Sequence, residues 1–192
     1  MSIQMINSMD FEEFIDILGN IIENCPLIAA TIWSQRPFKD LTDLKKHVFD
    51  FIEALPQSDE ETESQSSWHR NNPNKGKEGI LRCHPDIAGR EFEQGTLTPQ
   101  SQREQREAGL SDLSLEERRR LGHLNSAYKT RFGFPFVIAA RLSDKATILK
   151  ELERRLKNQP AQELSTALEE VLKICHLRLE DIRQSLEDPA KL

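Results

Sequence analysis

Three short stretches of this 192-residue chain gather side chains that could move a proton or grip a small polar molecule. In Arg82-Cys83-His84-Pro85-Asp86-Ile87-Ala88-Gly89 a histidine stands directly before a proline. Proline disfavours helical dihedrals at the residue before it, so the spacing predicts an extended backbone at His84 and a ring held outside any helix. An imidazole with an unperturbed pKa of about 6.5 can transfer a proton near neutral pH. On these eight residues alone, a loop histidine that merely caps or packs is the alternative. In Ser101-Gln102-Arg103-Glu104-Gln105 the S-x-x-E spacing could be no more than a capping box. Thr98-Pro99 is the better helix start, because threonine caps and proline suits the first helical position. Ser101 and Glu104 then lie three apart on one face, a hydroxyl beside a carboxylate suited to orienting a polar ligand, with plain surface polarity as the competing reading. The third stretch, Asn125 to Ile138, is densely aromatic and broken by Gly133 and Pro135. Its rings read as a core plug. Phe136-Val137-Ile138-Ala139-Ala140, however, has the content of a β-strand and no partner strand. Buried backbone groups are costly unless a ligand, water or side chains meet them, which makes this segment a candidate lining of a site.

Other chemistries find little support. Cys25, Cys83 and Cys175 are widely separated, and His47, His69, His84, His123 and His176 show no metal-ligand spacing, so no metal is expected. A formal net charge of −6 argues against a nucleic-acid partner. The one compact basic cluster, Arg118-Arg119-Arg120, follows two glutamates on an amphipathic stretch and reads as a solvated helix face. No apolar run approaches the roughly 20 residues of a membrane span, and the first residues lack a signal-peptide pattern.

The elements that must position these residues are helical. Apolar spacing predicts a helix through Phe11, Phe14, Ile15, Leu18, Ile21 and Ile22, a short one over Pro26 to Trp33, and another through Leu41, Leu44, Val48, Ile52 and Leu55. Residues 57–79 turn polar and read as a weak helix followed by a flexible loop. Beyond them come a helix from Thr98-Pro99 to Gly109, one capped by Ser114 and running to about Arg131, one capped by Asp144, and a long final helix carrying Leu164, Leu168, Val171, Leu172, Cys175, Leu179 and Ile182. The expected fold is therefore all-α, a single-domain bundle of roughly seven to nine helices over residues 1–186, with 57–79 as a polar flexible insertion. Residues 187–192 read as an exposed tail whose Ala190-Lys191-Leu192 is a conservative variant of the peroxisomal S-K-L address.

Taken together, His84 to Gly89, Ser101 to Leu110 and Leu124 to Ile138 resemble the OHCU decarboxylase family. Its members look like H-P-D-[LI]-A-G, S-x-x-E-Q-x-x-A-G-L and L-N-x-x-Y-x-x-R-F-G-F-P-F-[VI]-I in that order. The similarity also takes in the opening and closing helices. Ile87 replaces the commoner leucine, and the polar loop before His84 is longer than the pattern suggests.

The resemblance implies a usually dimeric all-α enzyme that uses no metal or organic cofactor. It would convert 2-oxo-4-hydroxy-4-carboxy-5-ureidoimidazoline (OHCU) to (S)-allantoin and CO2 in urate degradation. His84 would be the proton donor and Pro85 would touch the substrate. Ser101, Gln102, Arg103, Glu104 and Gln105 would form one wall, and Phe136, Val137, Ile138, Ala139 and Ala140 would bind largely through backbone groups. Decarboxylation needs an electron sink, which the substrate's own ring C=N supplies. Glu104 is then expected to hold or deprotonate the ring hydroxyl while His84 protonates the intermediate on one face. Implied partners are the small-molecule substrate, a second copy of the chain and the peroxisomal import receptor. The rival readings are a non-catalytic peroxisomal adaptor using the acidic stretch from Ser58 to Glu63, and a hydrolase acting on a related ureido ring.

Overall fold

Local chemistry sets the helix ends on which the candidate residues depend. Thr98 accepts a hydrogen bond from the Ser101 backbone and Pro99 takes the first helical position, so α7 (Pro99–Glu107) begins where the sequence places it. Gly109 ends that region in the left-handed conformation, at φ 78°. Ser114 and Glu117 form a reciprocal capping box at the head of α8 (Leu115–Phe132), and Gly133, at φ 77°, closes it. Asp144 caps α9 (Lys145–Arg155) through the Thr147 backbone, and Pro160 opens α10 (Pro160–Glu187).

The computed structural model describes residues 3–56 and 76–187. These contain ten α-helices, two short 3-10 turns and no strand. The first half is α1 (Ile3–Ser8), α2 (Phe11–Leu18), α3 (Pro26–Trp33), α4 (Leu41–Glu53), α5 (Gly76–Arg82) and α6 (Arg90–Gln94). α2 packs on α3 and α3 on α4, while α5 packs against α10, which brings the segment before His84 onto the last helix. One continuous core runs from Ile6 to Leu179, built mainly from helix faces and completed by connecting segments such as Phe134 to Ala139.

Several boundaries differ from expectation. α2 stops at Leu18 instead of reaching Ile22, because the Gly19 and Asn20 turn interrupts it; Ile21 and Ile22 are still buried, from the connection that follows. The last four residues of the segment read as flexible, 76–79, are the first turn of α5, where Gly79, Ile80 and Leu81 are buried. α10 reaches Glu187, one residue into the expected tail. α1 and α6 are too short for their periodicity to have been legible. Arg118 pairs with Glu93 and Arg120 with Glu153 on the surface, so that basic run is a solvated face. Ser58 to Glu63 and Ala190-Lys191-Leu192 lie outside the described residues. No described helix is long and apolar enough to cross a membrane.

Candidate active site

His84 follows the end of α5, buried at 8% exposure. Its Nδ1 lies 3.0 Å from the Ile80 carbonyl, and its Nε2 is buried without a hydrogen-bond partner. A carbonyl can only accept, so Nδ1 carries the proton and Nε2 presents a lone pair. Burial lowers the imidazole pKa to about 4, with the Arg178 charge adding to that effect and the Ile80 bond and Glu23 opposing it. The resting ring is therefore neutral near pH 7. A conformation that few residues tolerate holds the rest of the motif: Ala88 sits at φ 46°, its N–H donating to Gln105 Oε1 at 2.7 Å. A Cβ at Gly89 would come within 2.7 Å of the Asp86 Cβ, which accounts for the glycine. Asn125 on α8 donates to the Ile87 carbonyl at 3.0 Å.

Opposite lies a group that sequence reasoning missed. Arg178, 3% exposed on α10, forms a bidentate pair with Glu104, Nε to Oε1 and Nη2 to Oε2, both at 2.8 Å. The same guanidinium donates to Ser101 Oγ at 3.1 Å and to the Asn20 carbonyl at 2.8 Å, and lies 2.8 Å from Glu23 Oε2. Glu23, 1% exposed, also accepts from Thr98 Oγ1 at 2.7 Å. Burial pushes the Glu23 pKa up, but Arg178 and these hydrogen bonds outweigh it and the net shift is downward. Two carboxylates thus share one buried arginine.

Between the histidine and this cluster lies a narrow cleft of about 30 Å3. It is lined by His84, Pro85, Ile87, Ser101, Glu104, Gln105, Phe136, Val137, Ile138, Ala140, Ile174 and Arg178. The three stretches singled out from sequence therefore meet in space. Gln102, Arg103 and Ala139 do not line the cleft. Gln102 donates to the Phe92 carbonyl, Arg103 faces outward toward Asp181 and Glu107, and the Ala139 N–H is taken by Glu170. Ile87, Ile174 and Arg178 are the additions. Arg178 had a readable signal, since it stands three and seven residues beyond Cys175 and Val171 on the buried stripe of α10. Wider clefts exist beside Ile3, Leu41 and Ile182 and beside Ile17, Asn20 and Ser185. Neither contains an unpartnered buried imidazole. Among the described residues no three His, Cys, Asp or Glu side chains are grouped to hold a metal ion.

The family model for OHCU decarboxylase matches residues 7–180. The chain belongs to that family. It is 58% identical over 182 residues to the 2-oxo-4-hydroxy-4-carboxy-5-ureidoimidazoline decarboxylase of Mus musculus, covering 95% of this chain and 93% of that one. The Xenopus laevis protein of the same name is 51% identical over the full length of both chains. Two solved structures share the fold. A crystal structure of (S)-allantoin synthase superposes with a TM-score of 0.65 at 23% identity, covering 95% of this chain and 54% of that one. An OHCU decarboxylase crystallised in the presence of (S)-allantoin superposes with a TM-score of 0.61 at 22% identity, covering 85% and 95%.

Proposed function

We propose that this member of the OHCU decarboxylase family converts OHCU to (S)-allantoin and CO2, with His84 acting first as base and then as acid. The observation that carries the reading is the buried, neutral imidazole whose Nε2 lone pair has no protein partner beside a cleft walled by Arg178 and Glu104. Membership of the family supports the substrate.

The chemistry needs a fixed polar wall and one movable proton. The N–H groups of Arg178 are taken by Glu104, Glu23, Ser101 and the Asn20 carbonyl, so the guanidinium serves to hold Ser101 and Glu104 rigidly at the cleft wall. Cleavage of the bond to the carboxylate releases CO2, and its electron pair forms a C=C bond with the ureido-bearing carbon. The pair of the ring C=N moves onto nitrogen, which takes a proton from water. Nε2 then removes the hydroxyl proton as the ring carbonyl forms, and the resulting imidazolium returns it to the ureido-bearing carbon. Delivery from one fixed side gives one enantiomer. Both Glu104 oxygens accept from Arg178, so Glu104 is held in place as a hydrogen-bond acceptor for a substrate N–H, and removal of the hydroxyl proton falls to His84. Gln105 is held by Ala88 through its oxygen, leaving its amide nitrogen to donate to a substrate carbonyl.

The test is to generate OHCU in place from urate with the two preceding enzymes and follow allantoin by circular dichroism. A rapid single-enantiomer signal that His84→Ala abolishes supports the reading. A rate equal to spontaneous decay sinks it. A homodimer and peroxisomal delivery through Ala190-Lys191-Leu192 belong to the same proposal. Sedimentation velocity and the cellular location of a chain lacking those three residues test them.

A further inference from the structure

Arg155 is 1% exposed, on the inward face of α9, and touches neither the cleft nor His84. Its Nε donates to Glu163 Oε1 at 2.7 Å, and Glu163, fully buried, also accepts from Asn158 at 2.7 Å and from the Tyr128 hydroxyl. A buried ion pair of this kind is weak evidence for stability, because desolvating both charges offsets most of their attraction. What the cluster does achieve is directional. Arg155 Nη1 donates to the Val137 carbonyl at 2.8 Å, and its guanidinium lies over the Phe136 ring at 4.5 Å. Two residues further on, Glu170 of α10 accepts the Ala139 N–H at 2.8 Å.

Those two bonds fix two successive peptide planes. In a trans peptide the carbonyl and the following N–H point in opposite directions. With the Val137 carbonyl turned to Arg155, the Ile138 N–H points away from Arg155. With the Ala139 N–H turned to Glu170, the Ile138 carbonyl points away from Glu170. Ile138 is 8% exposed and lines the cleft, and neither its N–H nor its carbonyl has a hydrogen-bond partner among the described residues. Buried main-chain groups in that condition are rare and require a partner.

We propose that Arg155 and Glu170 are positioning residues that clamp the peptides on either side of Ile138, so that its N–H and carbonyl read an amide or ureido edge of the substrate. This deepens the proposed function and rests on it. Removing an anchor lets the Ile138 peptides rotate, weakening recognition while leaving His84 in place.

Steady-state kinetics on OHCU should therefore show KM rising roughly five- to tenfold in Glu170→Ala, the weight of about one net hydrogen bond, with a smaller change in kcat. Glu170→Gln should restore KM, because its amide oxygen still accepts from Ala139. Arg155→Lys retains the charge opposite Glu163 but has a single nitrogen to share, and it should raise KM in the same way. The Ile138 amide resonance of the 15N-labelled wild type, identified by its loss from the isoleucine subset in Ile138→Val, should move on titration with (S)-allantoin and move less in Glu170→Ala. A wild type that does not accelerate OHCU loss overturns the functional reading and the substrate assignment with it. An active wild type matched in KM by Glu170→Ala and Arg155→Lys, or an Ile138 amide that saturating allantoin leaves unmoved, overturns the clamp alone.

Discussion

If the lone pair on His84 Nε2 is the working base, acid should inactivate the free enzyme only when that nitrogen is protonated. Burial lowers the ring to about 4, against an unperturbed value of about 6.5. At pH 5 a group titrating near 4 is about 90% neutral, whereas one titrating near 6.5 is about 3% neutral. The two cases differ about thirtyfold in kcat/KM at that pH. The perturbation is a pH jump, because the enzymes that make the substrate need neutral solution. OHCU is generated at pH 7.5, diluted rapidly with this protein into buffers from pH 4 to 8, and allantoin is followed by circular dichroism after subtraction of spontaneous decay. The profile should use kcat/KM, which reports the free enzyme, since an anionic substrate beside the ring raises its pKa in the complex. An acid limb near pH 4 to 4.5 agrees with the buried neutral ring. A limb at 6 to 7 would refute the base-first order, because activity would then be tracking an ordinary, solvated imidazole.

The same burial has a stability consequence with a definite sign. The folded pKa lies below the unfolded one, so the contribution is fully present above about pH 6.5 and is lost as pH falls toward 4. By pH 4.5 the loss amounts to roughly 2–3 kcal/mol, and urea unfolding should show it in wild type and lack it in His84→Asn, a variant that should also be inactive. Glu104→Gln removes one of the two carboxylates facing Arg178 and should cost about 2 kcal/mol in the same experiment, because Glu23 still neutralises the arginine. Its kcat/KM should fall at least tenfold; unchanged turnover would make the carboxylate purely structural. The free thiols of Cys25 and Cys83 influence each other, which raises the pKa of Cys25 and lowers that of Cys83, while burial pushes Cys175 up to about 12. Brief iodoacetamide treatment of the native protein should mark Cys83 first and Cys175 last by peptide mass spectrometry.

What the sequence made legible follows from what is local. Thr98, Ser114 and Asp144 act on backbone amides three residues ahead, so their helices begin where the residues say. His84, Ser101, Glu104 and Phe136 line one cleft, yet spacing alone left each a plain alternative, as a packing histidine, surface polarity or a core plug, and it was their joint resemblance to one family pattern that drew them together. The ionic partners were not legible. Arg178 meets Glu104 across 74 positions and the Asn20 carbonyl across 158, and Arg155 meets the Tyr128 hydroxyl across 27. No periodicity reports such pairings. A charge at a core position of an amphipathic stripe, as with Arg155 after Ile148 and Leu152, signals that a partner exists without naming it. Gln102 and Arg103 belong to the motif by adjacency alone, and helical geometry turns them off the face that Ser101 and Glu104 share.

The reach of Arg178 bears on how the enzyme comes into being. Its side chain gathers the Asn20 carbonyl, Glu23, Ser101 and Glu104 from segments synthesised far earlier than α10. Until that helix docks, two acidic side chains face each other in a half-built core without their counter-charge, so nascent fragments pay an electrostatic penalty for premature collapse there. On this account the candidate cleft should form only once α10 docks, and no N-terminal piece of the chain should display even weak activity. Association of the last helix, supplied separately to a chain truncated before it, would convert the whole site from absent to present in one step.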